Sequence, residues 1–573
     1  MHLFLIDAIG PFFRGYRQVR INWSKIPFEH LRTDEPGRRK QWDRIREDMQ
    51  TFGRRVARIG YNAVTLDDVV HLVDHESYTE DLRRKIAVYR EEYRELFRIL
   101  HAAGLKIFVN QDAMSYSDTS RKAVGTGAGA AAEFLRVLLE RFLDDFPEVD
   151  GVVLRVGETD GLDVVGDFHS ELVLRSARKV RRALARILPE FEKRGKTLIF
   201  RTWTVGAFSV GDLIWHRRTL RRVLRGIQSP ALVLSMKYGE SDFFRHLPLN
   251  RLFFETDLPK IIELQCRREY EGCGEYPSFV GGDYEAYAVA LEGAKNMVGI
   301  SVWCQTGGWL PFRRLAFLEE SAIWTELNAE VTLRMFRDRV LVEEAVRKAA
   351  ESRGCPDPEG LQKLLRLSEE VVKDLLYVSG FAKQALYLRR VRVPPLVGVY
   401  WNTIFVNSFM RRMLRMVDTD RDTMVREAHQ SMSKLRRMEV LARKASMPVD
   451  DIRFMRDTFA ILALAREYFF LPWSEDLPER MKQLKRDYLD RYPLSLRPRY
   501  EVKLDMQPVG LSRRRVQWLL ALVFRRKPGY RLIDHILMLY LIGRLYRLIQ
   551  TWKPQWIPAF ARESAMGMDA VFR

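Results

Sequence analysis

The sequence predicts an α/β chain, a (β/α)8 or TIM barrel over residues 1–314 followed by an all-α C-terminal domain. Three observations predict it. Eight short β-branched runs lie within the first 310 residues, and amphipathic helical patterns separate most of them. From about residue 315 that alternation stops and long helical runs take over. Repetition of strand, helix and strand requires parallel pairing with right-handed crossovers. Eight such units in about 300 residues fit a closed barrel better than the competing doubly wound open sheet.

The strand candidates run in order along the chain. They are Arg17–Trp23, Tyr61–Leu66, Lys106–Gln111, Gly151–Val156, Thr197–Trp203, Leu232–Lys237, Ile261–Gln265 and Val298–Trp303. Helical periodicity fills Trp42–Arg58, Leu82–Ala103, Ala130–Phe146 and Glu171–Lys193 between them. Beyond the barrel, residues 315–490 read as helices over Glu319–Ala350, Leu361–Arg389, Thr403–Arg415, Arg421–Lys444 and Asp450–Tyr468. Residues 491–573 form a third, basic and aromatic-rich helical region with the runs RRRVQWLLALVFRRK and RLIDHILMLYLIGRLYRLIQTW. Their arginine stems suit an interfacial membrane helix or a basic docking surface. The plainer reading, two helices closing a core, fits their short length better.

Composition bounds the function. Of 573 residues, 47% are hydrophobic and 30% charged, which excludes a disordered chain. Lys and Arg exceed Asp and Glu by 20, which suits an acidic partner such as a uronate polymer, nucleic acid or an anionic membrane. Residues 491–573 hold 16 Lys and Arg against 5 Asp and Glu, more than half of the excess. Four cysteines exclude a disulfide scaffold, and neither a spanning helix nor a secretory leader is visible, so the expected compartment is the cytoplasm. The sequence leaves peripheral membrane contact and homo-oligomerisation open.

In a barrel the chemistry sits at the C-terminal strand ends. The fourth strand is followed by GETDG, which places Glu158 at the mouth. The sixth leads into MKYGESDFF, with Lys237, Glu240 and Asp242. The seventh runs through IELQCRREYEGCGEY, with Glu263, Glu269 and Glu271. Carboxylates from several strand ends meeting at one mouth are what glycoside cleavage needs, one protonated and one ionised. The bland alternative is a salt-bridge network with the many arginines. Arg155, Arg201 and Lys237 would bind an anionic substrate group and tune the acids. Trp23, Trp203, Trp303 and Trp309 could stack on a sugar or simply fill the core.

At these motifs the chain resembles the glycoside hydrolase family 67 α-glucuronidases across roughly residues 15–275. The matching stretches are RINW, FGRRVARIGYNAVTLDDV, FRILHAAGLKIFVN, FLDDFPEVDGVVLRVGETDG, IFRTW, MKYGESDFF and ELQCRREYEG, in that order. The resemblance implies that Glu158 is the general acid of an inverting exo-hydrolysis and that Asp242 and Glu269 activate water. It further implies that Arg201 and Lys237 hold a uronate carboxylate or its hydroxyls and that Trp23 contacts the sugar. The chain departs from the family in several places. It has no room for an N-terminal β-sandwich, the segment around the acid is reduced to GETDG, Arg155 stands near an expected lysine, and the basic C-terminus is foreign. A competing expectation is a non-catalytic glycan-binding barrel with a basic docking region.

Other signals point elsewhere or nowhere. GTGAG at 125–129 reads as a loop opening a helix rather than a phosphate cradle. Cys266 and Cys273 are close, but no His joins them at zinc spacing, so no metal is expected, nor any other cofactor. His246 reads as a packing residue. No nucleic-acid module is visible despite the charge.

Overall fold

The computed structural model describes residues 1–16, 25–125, 127–157, 166–204, 210, 213–305, 314–388, 391–392, 399–400, 403–415, 420–506, 514, 524–525 and 542–554. Eight parallel strands close into a barrel. They are β1 (Leu3–Asp7), β2 (Ala63–Leu66), β3 (Lys106–Asp112), β4 (Gly151–Gly157), β5 (Thr197–Thr204), β6 (Leu232–Lys237), β7 (Lys260–Gln265) and β8 (Met297–Trp303). Each pairs with its sequence neighbours, and β1 closes the ring against β8 with Leu3 opposite Gly299 and Ile6 opposite Val302.

Seven staves coincide with the predicted runs. The first does not: β1 is Leu3–Asp7, whereas Arg17–Trp23 lies wholly outside the described residues. LFLID is a short apolar run buried on both faces, as expected of a parallel strand. Asp7 had masked it, because a charge breaks an apolar run in the sequence but is welcome at a barrel mouth.

The crossovers are α1 (Gly37–Ile59), α2 (Glu80–Ala102), α3 (Ala128–Asp145), α4 (Ala177–Glu192), α5 (Arg217–Leu224) and α6 (Gly281–Ala290). Their apolar residues recur every three or four positions and face the sheet; α1 buries Trp42, Ile45, Met49, Phe52 and Val56. Thr79 starts α2 by accepting from the Leu82 N–H. GTGAG leads into α3, with Gly127 as its N-cap. Between β6 and β7 the helix is reduced to a 3-10 turn, Arg251–Phe254, and a long loop takes its place.

After β8 come α7 (Ile323–Asp338), α8 (Val342–Ser352), α9 (Pro358–Val371), α10 (Arg421–Lys444), α11 (Val449–Phe470) and α12 (Leu477–Arg491). The run expected over 319–350 is two helices, because Arg339 adopts a left-handed φ of 55° and ends α7. The run expected over 361–389 leaves α9 through a π-helical turn, Val372–Leu376, makes one more helical turn at Ser379–Ala382 and becomes extended at Tyr387–Leu388. Within 403–415, the β-branched Thr403–Asn407 forms a strand, paired in parallel with Glu501–Asp505. Asn407 then caps the helix Ser408–Leu414 through the Met410 N–H. A second small sheet pairs Tyr387–Leu388 with Val391–Arg392 and with Phe524–Arg525. Those last two residues fall inside a run expected to be helical, most of which lies outside the described residues. In the second such run, Ile542–Trp552 is helical. Among the described residues no helix is long and apolar enough to cross a membrane.

The helical region is joined to the barrel by packing and polar contacts. Tyr500 donates to the Gly272 carbonyl at 2.6 Å and sits against Tyr276, while Arg314 and Arg497 both reach Glu275.

Candidate active site

The barrel lumen changes character along its axis. A small separate core contains at least one residue from every stave: Leu3, Leu5, Ala63, Phe108, Val153 and Ile199, with Val233, Ile261 and Val298. Successive side chains on a strand alternate faces, so the lumen residues are every second one. Two residues nearer the C-terminal mouth, the inward positions become Asp7, Thr65, Asn110, Arg155, Arg201, Ser235 and Glu263. Two further on stand Asp67, Asp112, Trp203, Lys237 and Gln265. An apolar floor therefore gives way to a buried charged rim at the end where barrels carry their chemistry.

Most of this rim is tied into ion pairs. Arg155 donates to Asp112 at 2.7 Å, and Lys25 reaches the other Asp112 oxygen at 2.5 Å, so the Asp112 carboxyl stays ionised despite its burial. Arg201 spans both oxygens of Glu263 at 3.0 and 2.9 Å, Ser235 donates to the same carboxylate, and the guanidinium lies 4.8 Å from the Trp303 ring. The two arginines expected to meet substrate are thus engaged by carboxylates of the chain itself. Glu271 is enclosed by Arg245 and Arg268. Glu240 accepts from the Tyr387 hydroxyl at 3.2 Å. For Glu263 and Glu271, the salt-bridge reading describes the geometry.

Asp242 and Glu269 are different. Asp242 follows β6 and ion-pairs with Lys237, the last residue of that strand. Its other oxygen accepts from the Tyr270 hydroxyl at 2.8 Å, and its first also accepts from the Phe243 N–H. Burial alone would raise the Asp242 carboxyl, but the Lys237 charge and these hydrogen bonds outweigh it and hold the group below the usual aspartate value. Glu269 follows β7, buried beside Asp242. Burial, together with the Asp242 charge, lifts its carboxyl to about 7 against the opposing pull of Lys237, Gln265 and Arg267. Two neighbouring carboxyl groups are thereby pushed apart, one ionised and one able to carry a proton near neutrality, which is the pattern that separates base from acid in hydrolytic sites.

Around them, the Lys237 ammonium lies 3.6 Å from the Trp203 ring and 4.4 Å from that of Phe243. The structure thus brings together Trp203, Lys237, Asp242 and Glu269, while Arg155 and Arg201 take part in adjoining pairs. Glu158 and Trp23 lie outside the described residues, as does Trp309. Glu158 directly follows Gly157, the last residue of β4. His246 packs against Tyr377, as a packing residue should. Among the described residues no group of three or more His, Cys, Asp or Glu is placed to hold a metal.

Sequence reasoning passed over Tyr270, Lys25, Asp112 and Gln265. The usable signal was the alternation itself. In KIFVNQD the residues Asn110 and Asp112 fall on the same face as Phe108, and in KIIELQ the residues Glu263 and Gln265 fall on that of Ile261.

Fold and site together define a (β/α)8 barrel with a buried carboxyl pair at its C-terminal mouth, one member held ionised and the other favouring its proton. No protein-family model matches the chain, and no curated protein matches it. Among solved structures it is similar to a GH138 enzyme targeting pectin rhamnogalacturonan II, at 11% identity and a TM-score of 0.49. That match covers 86% of this chain and 62% of the other, so the chain spans less than two thirds of that enzyme's length. It is also similar to a mutant O-GlcNAc hydrolase of Thermobaculum terrenum, at 11% identity and a TM-score of 0.38, covering 78% and 86% of the two chains. A Clostridium perfringens GH89 enzyme in complex with GlcNAc-α-1,4-galactose matches at 10% identity and a TM-score of 0.42, covering 85% and 53%.

Proposed function

We propose that the protein is a glycoside hydrolase that removes a terminal, acidic sugar from an oligo- or polysaccharide with inversion, in the manner of an α-glucuronidase. The observation that supports this is the Asp242–Glu269 pair, buried at adjoining strand ends with opposite protonation preferences. Asp242, ionised, suits the base that takes a proton from the attacking water. Glu269 holds that water from the neighbouring loop. The water oxygen bonds to the anomeric carbon as the glycosidic bond breaks, and the leaving oxygen takes a proton from Glu158. Glu158 follows β4, with only β5 between that strand and β6. Inversion asks for roughly 6.5–9.5 Å between the acid and base carboxyl groups. Lys237 and the Trp203 face would meet the anionic sugar.

The test is incubation with a panel of uronate-capped and neutral oligosaccharides, following the released monosaccharide and its anomer by proton NMR. Release of a uronate as the inverted anomer is the expected result. No release from any member of the panel defeats the reading.

A second reading has one observation behind it. With Arg155 and Arg201 engaged by Asp112 and Glu263, the barrel could bind a glycan without cleaving it, docking through its basic C-terminal stretch. It predicts saturable glycan binding with no released sugar, and association with anionic polymers that weakens as salt rises.

A further inference from the structure

The loops that carry Asp242 and Glu269 are tied to each other, and to the helical region, through one buried carboxylate. Glu271 lies two residues beyond Glu269 and is fully buried. It accepts from Arg245 at 3.0 and 3.2 Å and from Arg268 at 2.7 Å. Arg245 stands three residues after Asp242, and Arg268 also donates to the carbonyl of Phe243 at 2.9 Å. Glu271 therefore holds the β6 loop against the β7 loop at the level of the carboxyl pair.

The last partner comes from outside the barrel. The Tyr377 hydroxyl donates to Glu271 at 3.0 Å and accepts from the Arg245 N–H at 3.3 Å. Tyr377 directly follows the π-helical turn Val372–Leu376, a rare local geometry that recurs at functional sites. That turn is held in turn by Arg466 of α11, which donates to the carbonyls of Asp374 at 3.2 Å and Leu375 at 2.8 Å and to that of Tyr377. Arg245 continues the tie to Asp283 and Glu369, and Glu369 receives the N–H groups of Gly282 and Asp283. Lys373 bridges the same two acids.

We infer that Tyr377 is a positioning residue of the carboxyl pair: reaching in from the helical region, it fixes through Glu271 how closely the loops of Asp242 and Glu269 approach. This inference rests on the proposed hydrolase site, but its readout does not. With the hydroxyl gone, the two loops loosen, water and distance separate the carboxyl groups, and Glu269 releases its proton more readily. The charged groups facing Glu269 are Asp242 from the β6 loop, Lys237 from the end of β6 and Arg267 from its own loop.

Glu271→Gln would take the carboxylate from buried Arg268 and one of three from Arg245, so the conservative Tyr377→Phe is the test. The full-length protein is titrated by infrared spectroscopy, and the protonated-carboxyl band of Glu269 is assigned by its loss in Glu269→Gln. Tyr61→Phe is the control, since it removes another buried tyrosine hydrogen bond between barrel and helices, to the Ala329 carbonyl. The expected result is a Glu269 midpoint lowered by roughly one pH unit in Tyr377→Phe and unmoved in Tyr61→Phe. An unmoved midpoint in Tyr377→Phe, or equal shifts in both variants, overturns the inference. A lowered midpoint with no sugar released from the panel leaves the positioning intact and removes the hydrolase reading. Sugar release with an unmoved midpoint does the reverse.

Discussion

Lys237 and Asp242 stand five residues apart, at the end of β6 and in the loop behind it, and their ion pair keeps one carboxyl of a buried pair charged. The charge kept on Asp242 helps to keep the proton on Glu269. The lysine charge favours ionisation of both acids, and the two part because burial and the Asp242 charge outweigh that pull at Glu269 alone.

Asp242→Asn should lower turnover on any cleaved oligosaccharide by roughly 10²–10⁴-fold while leaving binding within a few-fold. The same change removes the neighbouring negative charge, so the Glu269 carboxyl should fall from about 7, although burial keeps it above its ordinary value. Steady-state kinetics and a carboxyl titration check the two halves separately. Unchanged turnover would remove Asp242 from the mechanism.

Stability should depend on pH through Glu269. Its folded value, about 7, lies above the ordinary 4.5. Across that window the folded chain keeps a proton that the unfolded chain releases, so stability falls as pH rises, and nothing further is lost above it. Asp242 acts in the other direction, adding stability that is lost only as pH falls below its ordinary range. Glu269→Gln should therefore gain on the order of 1–3 kcal/mol at about pH 8 and little near pH 4.5. Urea unfolding at the two pH values is the measurement, and a gain of equal size at both would contradict the shift.

Glu263→Gln should destabilise the fold by about 3–5 kcal/mol, because it leaves the Arg201 guanidinium in the lumen facing a neutral partner. Replacing both residues by Met should recover much of that loss, since the lumen then loses charge and counter-charge together. Denaturant midpoints of the single and double variants decide the matter. A single variant as stable as the parent would mean that the pair contributes nothing.

Two glycines should respond oppositely to alanine. A Cβ at Gly299 would sit 1.7 Å from the Leu3 carbonyl oxygen, at the seam where β8 meets β1. Gly299→Ala should cost at least about 3 kcal/mol and lower the soluble yield. At Gly129, early in α3, a Cβ meets nothing within 4 Å. There alanine should stabilise by about 0.5–1 kcal/mol through helix propensity. Thermal melts of the two variants test the contrast.

Much of this architecture was legible in the chain. Runs such as GVVLRV and TLIFRTW declare buried parallel strands, and their regular separation by amphipathic helices declares a barrel. The carboxylates after β6 and β7 were legible because barrels place chemistry there. What could not be read was which acids are spoken for. Glu263, Glu269 and Glu271 look alike in IELQCRREYEG, and only the arrival of Arg201 on one, and of Arg245 and Arg268 on another, separates them. The strand LFLID hid because its closing aspartate looked like an interruption. Thr403–Asn407 hid because its pairing partner, Glu501–Asp505, lies almost a hundred residues away.

The seam between β1 and β8 has a consequence for how the chain is made. Leu3 must wait for Gly299 before the ring can shut. At ribosomal speeds of about 5–20 residues per second, that wait lasts roughly 15–60 s. Throughout it the nascent sheet carries an unsatisfied edge at each end, and the charged rim faces water without its completed enclosure. Chaperone demand during synthesis should therefore peak just before the eighth stave emerges.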